Sequence, residues 1–337
     1  MPELPRTPEW RDVDRDTFQN EIAPRRRPAV LRGFAAGWPA VRAGAQSAER
    51  ACSYLRGFDS GKPIPIFFGP PSIKGHFWYR EDMRGLNYQN RMASLGSLLD
   101  GLLEFRHLAD PPSLYAGAVG IAENLPGLEK ENASSIPDAS ATARIWIGNS
   151  VSVSTHFDLS ENIAVLVAGR RRFTFFPPEQ VANLYVGPFD FTFAGPPVSM
   201  VDIHNPDHAR FPRFAAALET AECADLEPGD AVYVPYMWWH QVESLEPLNV
   251  LINYWWDIIA RPWQGSPFKA LMHAIMSVRD LPERERAIWR TWFEHYVFGA
   301  GHDAVSHLPP EARSVLGEMT PEMAAAIKQW LMESLKK

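Results

Sequence analysis

His156 and Asp158 are separated only by Phe157. On an extended strand, residues i and i+2 project to one face, so an imidazole and a carboxylate would converge there. On a helix they would stand ~200° apart and could not share a ligand. A third donor is available at His240, 84 residues after the first, behind the stretch PGDAVYVP and the aromatic run Tyr236-Met237-Trp238-Trp239. Two imidazoles and one carboxylate on one face form the ligand set of non-haem Fe(II) oxygenases, which leaves coordination positions open for a co-substrate and O2. Two core histidines satisfied by the backbone would give the same spacing, so the pattern alone leaves both readings open. His204 and His208 lie four apart, but Pro206 between them argues against a helical metal face, and both read as loop residues.

A same-face pair needs strands to carry it. The runs 144–147, 151–157, 162–168 and 171–176 are short and rich in Val, Ile and Phe, with Gly148-Asn149 and Gly169-Arg170 as turns between them. Glu227-Pro228-Gly229-Asp230 reads as a type II turn that launches a strand at Ala231–Val234, and 248–256 makes another. Several short strands at this spacing predict a sandwich or barrel. The Pro- and Gly-bearing stretch 183–216 reads as a loop capping one end of the sheet. Upstream, 28–34 suits a short buried strand, the alternating prolines of 61–72 suit an edge strand, and 94–108 has leucines at helical spacing. Beyond Pro262, three apolar stripes at helical spacing include Trp289, Trp292 and Trp330. The organisation expected is a mixed N-terminal segment (1–110), a β domain (111–261) and a helical region (262–337).

With 46% hydrophobic and 22% charged residues, the 337-residue chain has the composition of a globular protein and enough length for a large core, which excludes wholesale disorder. The 30 prolines and 12 tryptophans favour strands and turns around an aromatic-walled cavity over a helical bundle. A net charge of −7 argues against non-specific grip on a nucleic-acid backbone. Cys52 and Cys223 form no paired motif and read as buried free thiols. The polar, Pro-rich N-terminus has no secretory signal, and no run approaches the ~18 apolar residues of a membrane span. A cytoplasmic protein with neither membrane nor nucleic acid as partner is expected.

The phrases HFDLSENIAVLVAGRRRFTFFPPEQ, VDIHNPDHARFP and LEPGDAVYVPYMWWHQVESL, followed by NYWW, are similar to the Jumonji-C (cupin-like) 2-oxoglutarate oxygenases. Within that family the chain most resembles the asparaginyl hydroxylases that inhibit hypoxia-inducible factor. The strong match covers about residues 144–257 and extends weakly upstream through PAVLRGFAAGWPA and SLY. The resemblance implies a mainly β protein with added helices. Its core would be a double-stranded β-helix of the jelly-roll or cupin type, followed by a C-terminal helical bundle. It places His156, Asp158 and His240 on the Fe(II) ligands. It places Arg171, Tyr115, Asn162 and Asn253 around 2-oxoglutarate. Arg171 departs from the family, which has a lysine there; a guanidinium can still grip the distal carboxylate with two hydrogen bonds. Val153 replaces a threonine that touches the co-substrate, so one hydrogen bond is missing. The implied activity is hydroxylation of a C–H bond with 2-oxoglutarate and O2, on a protein or peptide side chain. The same chemistry on a small metabolite, or a non-catalytic metal-binding cupin module, are the alternatives. The resembled hydroxylases dimerise through helices beyond the β-helix. With three apolar stripes in 262–337, a homodimer through the C-terminal helices is expected here too.

Overall fold

The computed structural model describes residues 3–137, 140–193, 195–257, 265–299 and 304–336. Among these residues thirteen strands form two sheets. In chain order they are β1 (Glu9–Arg11), β2 (Ala29–Arg32), β3 (Ile64–Gly69), β4 (Gln89–Ala93), β5 (Ser113–Gly120), β6 (Thr142–Gly148), β7 (Ser152–His156), β8 (Glu161–Ala168), β9 (Arg171–Phe176), β10 (Glu222–Leu226), β11 (Ala231–Val234), β12 (Trp239–Ser244) and β13 (Asn249–Trp256). The larger sheet runs β1-β2-β11-β8-β13-β6-β5-β3-β4 and the smaller β10-β9-β12-β7. Every pairing is antiparallel except β1 with β2. Strands β6 to β13 divide four to a sheet, which is the jelly-roll core expected, and the N-terminal segment extends the larger sheet at both ends.

The pattern along β8 shows why the sheets stack. All eight of its residues are buried, so the run reads as continuously apolar rather than alternating. Ile163, Val165 and Val167 face a layer of helices, while Ala164 and Leu166 meet Phe173, Phe175 and Leu226 of the smaller sheet. The helix Leu95–Phe105 closes the outer layer. Its N-cap Ser94 accepts from the Ser97 amide, and Leu95, Leu98, Leu99 and Leu102 are all buried. Burying four such side chains is worth roughly 1.5–3 kcal/mol each.

Two local expectations change. Strand β3 is not an edge strand, because β4 covers it. Strand β5 pairs only with Phe67–Gly69, so Pro65 sits where one flank of β3 is open and its missing N–H interrupts no ladder there. Strand β10 carries no run of apolar residues that would mark it. Its charges are answered from elsewhere in the chain, Glu222 by Arg27 and Asp225 by Arg6 and Arg172.

Gly169 turns β8 into β9 with φ of +81°, and a Cβ there would lie 2.4 Å from both Asn249 Oδ1 and the Leu248 carbonyl oxygen. Gly169→Ala is therefore expected to cost about 2–3 kcal/mol, read as a lower midpoint in urea with unchanged slope. A loss below ~0.5 kcal/mol would show that the turn is free to move.

The chain divides into two compact units, Met1–Ile258 and Ile259–Lys337. The expected boundary at Pro262 lies outside the described residues. The second unit contains helices Pro267–Ser277, Glu283–Phe293 and Pro321–Ser334, with a π-helical turn at Glu294–Phe298. Its apolar stripes are largely uncovered: Trp292 is 54% exposed, Phe298 70% and Trp330 66%. Cys52 and Cys223 are buried free thiols, and among the described residues no helix is long and apolar enough to cross a membrane.

Candidate metal centre and cavity

His156 ends β7 and His240 lies near the start of β12. The two are direct cross-strand partners, with ring centroids 4.3 Å apart. Asp158 is not on the strand, contrary to the same-strand expectation. Strand β7 stops at His156, and the chain turns before placing the carboxylate. The Asp158 carbonyl accepts from the Met237 amide at 3.0 Å, which ties this turn to the segment just before His240. The result is nevertheless convergence: one donor atom from each of the three residues lies within 4.8 Å of the others, and His240 Nε2 is 3.8 Å from Asp158 Oδ2.

The second set of contacts orients the donors. His156 Nδ1 meets the Ser154 carbonyl at 2.8 Å and His240 Nδ1 meets the Trp238 carbonyl at 3.0 Å, which turns both Nε2 atoms toward Asp158. Burial, with His240 adding to it, holds the His156 pKa below the ordinary imidazole value, so the ring is neutral and able to ligate at pH 7. Asp158 Oδ2 accepts from Asn162 Nδ2 at 3.0 Å and from Trp255 Nε1 at 3.2 Å. Asn253 Nδ2 donates to Asn162 Oδ1 at 3.3 Å, and Trp146 Nε1 donates to Asn253 Oδ1 at 2.7 Å. Both asparagines are thus buried with their polar partners in a relay that ends on the carboxylate. This gives them a positioning role beyond lining the pocket.

Behind the triad lies a recess bordered by Tyr115, Asn162, Arg171, Phe173, Val242 and Asn253. Val153 also lines it. Arg171 is 3% exposed, and its Nε and Nη2 atoms are buried without any partner. Burial pushes its pKa down from the ordinary value, opposed by the adjacent Tyr115 hydroxyl, though a guanidinium keeps its charge at pH 7. Burial likewise pushes Tyr115 up, so it stays a neutral donor. Arg170 and Arg172 point away, as strand alternation requires, and pair with Glu246 and Asp225. A buried cation with two unanswered N–H groups is costly unless an anion completes it. The donor set therefore fits both groups: two imidazoles and a carboxylate for a divalent metal, and a guanidinium with unanswered N–H groups beside a phenol for a carboxylate.

In front of the triad, a cavity of about 430 Å³ is walled by Phe67, Phe77, Trp146, Phe193, Pro196 and Trp255. It shares Tyr115, Trp146, Val153, His156, Asp158 and Trp255 with the recess, so the donors stand where the two spaces meet. Phe193 comes from the long excursion after β9. Tyr79 secures that excursion by donating its hydroxyl to the Phe191 carbonyl at 2.7 Å, and Trp78 packs on Phe193. Sequence reasoning missed Trp146, Phe67, Phe77 and Phe193. Trp146 lies in the strand run 144–147 that the sequence marks, but its place in the site comes from the pairing of β6 with β13, where it stands opposite Leu251. Trp238 and Trp239 are packed wall, at 7% and 2% exposed. His204 ligates nothing with His208; it pairs with Glu243 at 2.9 Å.

Residues 15–261 match the family model described as a cupin-like domain. The tRNA wybutosine-synthesizing protein 5 of Danio rerio is 25% identical over 274 residues, covering 74% of each chain. HSPB1-associated protein 1 of Homo sapiens is 38% identical over 117 residues, 34% of this chain and 23% of that protein. Lysine-specific demethylase JMJ31 of Arabidopsis thaliana is 36% identical over 104 residues, 31% of this chain and 18% of that protein. These relatives support the wider cupin and Jumonji-C grouping, and they do not carry the narrower likeness to the asparaginyl hydroxylases. With most of its length matched by one family model and the metal-binding geometry of such a domain in place, this chain belongs to the cupin-like family.

Proposed function

We propose that the protein is an Fe(II)- and 2-oxoglutarate-dependent oxygenase that hydroxylates a C–H bond. The observation that carries this reading is Arg171, a buried guanidinium with two free N–H groups in the recess directly behind a His-Asp-His donor set. When bound, iron would activate O2, with 2-oxoglutarate as the co-reductant that leaves as succinate and CO2. His156, Asp158 and His240 would hold the metal. Arg171 and Tyr115 would grip the distal carboxylate. Asn162 and Trp255 fix the angle of Asp158, and the aromatic cavity keeps water from the reacting carbon.

The substrate proposed first is a protein or peptide side chain. The printed names of the relatives point one to tRNA and another to lysine, so family membership alone does not choose. The aromatic, partly enclosed cavity favours as second reading a small apolar metabolite. Purified full-length protein with Fe(II), ascorbate and 2-oxoglutarate is expected to release succinate, and to release more when a true substrate is added. Peptide and metabolite pools separate the two readings. No succinate under any condition, with metal bound, would leave a non-catalytic module.

The proposal extends to assembly. The exposed tryptophans of the C-terminal helices fit a homodimer, because apolar surface of this extent is characteristic of obligate interfaces. Light scattering should give twice the 38.0 kDa chain mass. A monomer at micromolar concentration would refute it.

A further inference from the structure

A second cation stands against Trp255, the residue whose Nε1 bonds Asp158. Arg144 shares its face of β6 with Trp146, two residues on, and is the direct cross-strand partner of Asn253; it does not itself line the cavity but touches residues that do. Across the neighbouring strand β5 the ladder is broken between Ala116 and Val119, and Ala118 adopts a left-handed φ of 52°. This bulge turns the Ala118 carbonyl toward Arg144 Nη1, at 3.0 Å. The guanidinium carbon sits 5.5 Å from the ring of Trp255. Ala118 and Trp255 both line the cavity.

What this cation lacks is an anion. Among the described residues its guanidinium makes that one hydrogen bond, no carboxylate pairs with it, and Nε is buried with no partner. The other half-buried arginines of the same unit are answered: Arg32 by Glu9 and Asp230, Arg172 by Asp225. Cation–π contact with Trp255 offsets part of the desolvation, but an indole face does not fill an N–H site. The planar fork of an arginine matches a carboxylate or a phosphate. The co-substrate does not need it, because Arg171 and Tyr115 would supply that role in the recess, whose lining does not include Arg144.

We infer that Arg144 is a substrate-selecting cation beside the cavity, next to its lining residues Ala118 and Trp255: it receives an oxyanion on a substrate whose apolar part lies among Phe67, Trp146, Phe193 and Trp255. Trp255 sets the spacing. Its ring underlies the Arg144 guanidinium while its Nε1 bonds Asp158, so the oxyanion sits about one indole's span from the metal carboxylate. The carbon to be hydroxylated is therefore near the charged group and not at the far end of a long chain. This inference deepens the oxygenase reading of the same site and rests on it.

Calorimetry tests it on the full-length protein with Mn(II) and saturating 2-oxoglutarate, which fills the Arg171 end. The probes are phenylacetate, phenyl phosphate and neutral phenylacetamide. At least one oxyanion probe should bind about tenfold or more tighter than the amide, and the tighter of the two identifies carboxylate or phosphate as the preferred group. Arg144→Gln should remove that advantage and Arg144→Lys should keep part of it. Raising NaCl from low to high concentration should weaken the oxyanion probes alone, a reading that needs no variant. Equal affinity for all three probes overturns the inference. So does an advantage that survives Arg144→Gln but vanishes in Arg171→Gln, because the anion would then occupy the recess. Mn(II) and 2-oxoglutarate affinities are measured in the same series. If those are absent the oxygenase reading fails, whereas loss of oxyanion selectivity with both intact removes only the role of Arg144.

Discussion

Asp158→Ala is expected to abolish both metal retention and 2-oxoglutarate decarboxylation. Removing the carboxylate leaves two imidazoles, and the affinity for Fe(II) should fall by well over the 10–100-fold typical of an outer-shell change. The same change leaves Asn162 Nδ2 and Trp255 Nε1 without their acceptor, at a cost of about 1–3 kcal/mol in fold stability. Asp158→Asn separates the two effects: it keeps an oxygen for both donors, so stability should recover while metal affinity does not. Asn162→Ala should lie between, with metal affinity reduced by about 10–100-fold and the fold intact. Mn(II) titration followed by succinate measurement decides the matter. Wild-type turnover in Asp158→Ala would remove the triad from the mechanism.

The second large effect runs in opposite directions for binding and for stability. Arg171→Met removes a charge-assisted grip worth roughly 1.5–3 kcal/mol, so the 2-oxoglutarate requirement should rise at least tenfold. The same substitution removes a buried cation with two unanswered N–H groups, so the melting temperature without co-substrate should hold or rise. In wild type, 2-oxoglutarate should raise the melting temperature, and in Arg171→Met it should not. Arg171→Lys should recover part of the affinity. Unchanged co-substrate dependence in Arg171→Met would refute the assignment. Arg170 and Arg172 could not inherit it, because their exposed side chains are already paired with Glu246 and Asp225.

The donors were legible because long motifs around them resemble a known family; the HxD and the later histidine by themselves left a packing explanation open. Strands β8 and β13 were legible because a buried or largely buried strand leaves a long, mostly apolar run. Their register was not. That Asn253 reaches Asn162, and Trp146 reaches Asn253, depends on pairings between segments about 90 to 110 residues apart, which no local pattern records. Asp158 shows the limit from the other side: convergence was right, but the turn that achieves it is held by a backbone bond to Met237. Nothing in the sequence sets Arg144 apart within the run 144–147; only the bulge in β5 and the ring of Trp255 single it out.

The cross-strand pairing of His156 with His240 also bears on how the molecule comes apart. The two belong to segments 84 residues apart, and everything between them, from β8 to β11, is one closed loop of the chain. A metal held by both histidines acts as a clip across that loop. It restrains the opened chain much as a crosslink would, and the restraint grows with loop length. The same long closure must be completed before the donors meet, so the metal cannot guide the early steps of folding. An ion held there would join late, and parting of β7 from β12 would separate two of its three donors at once.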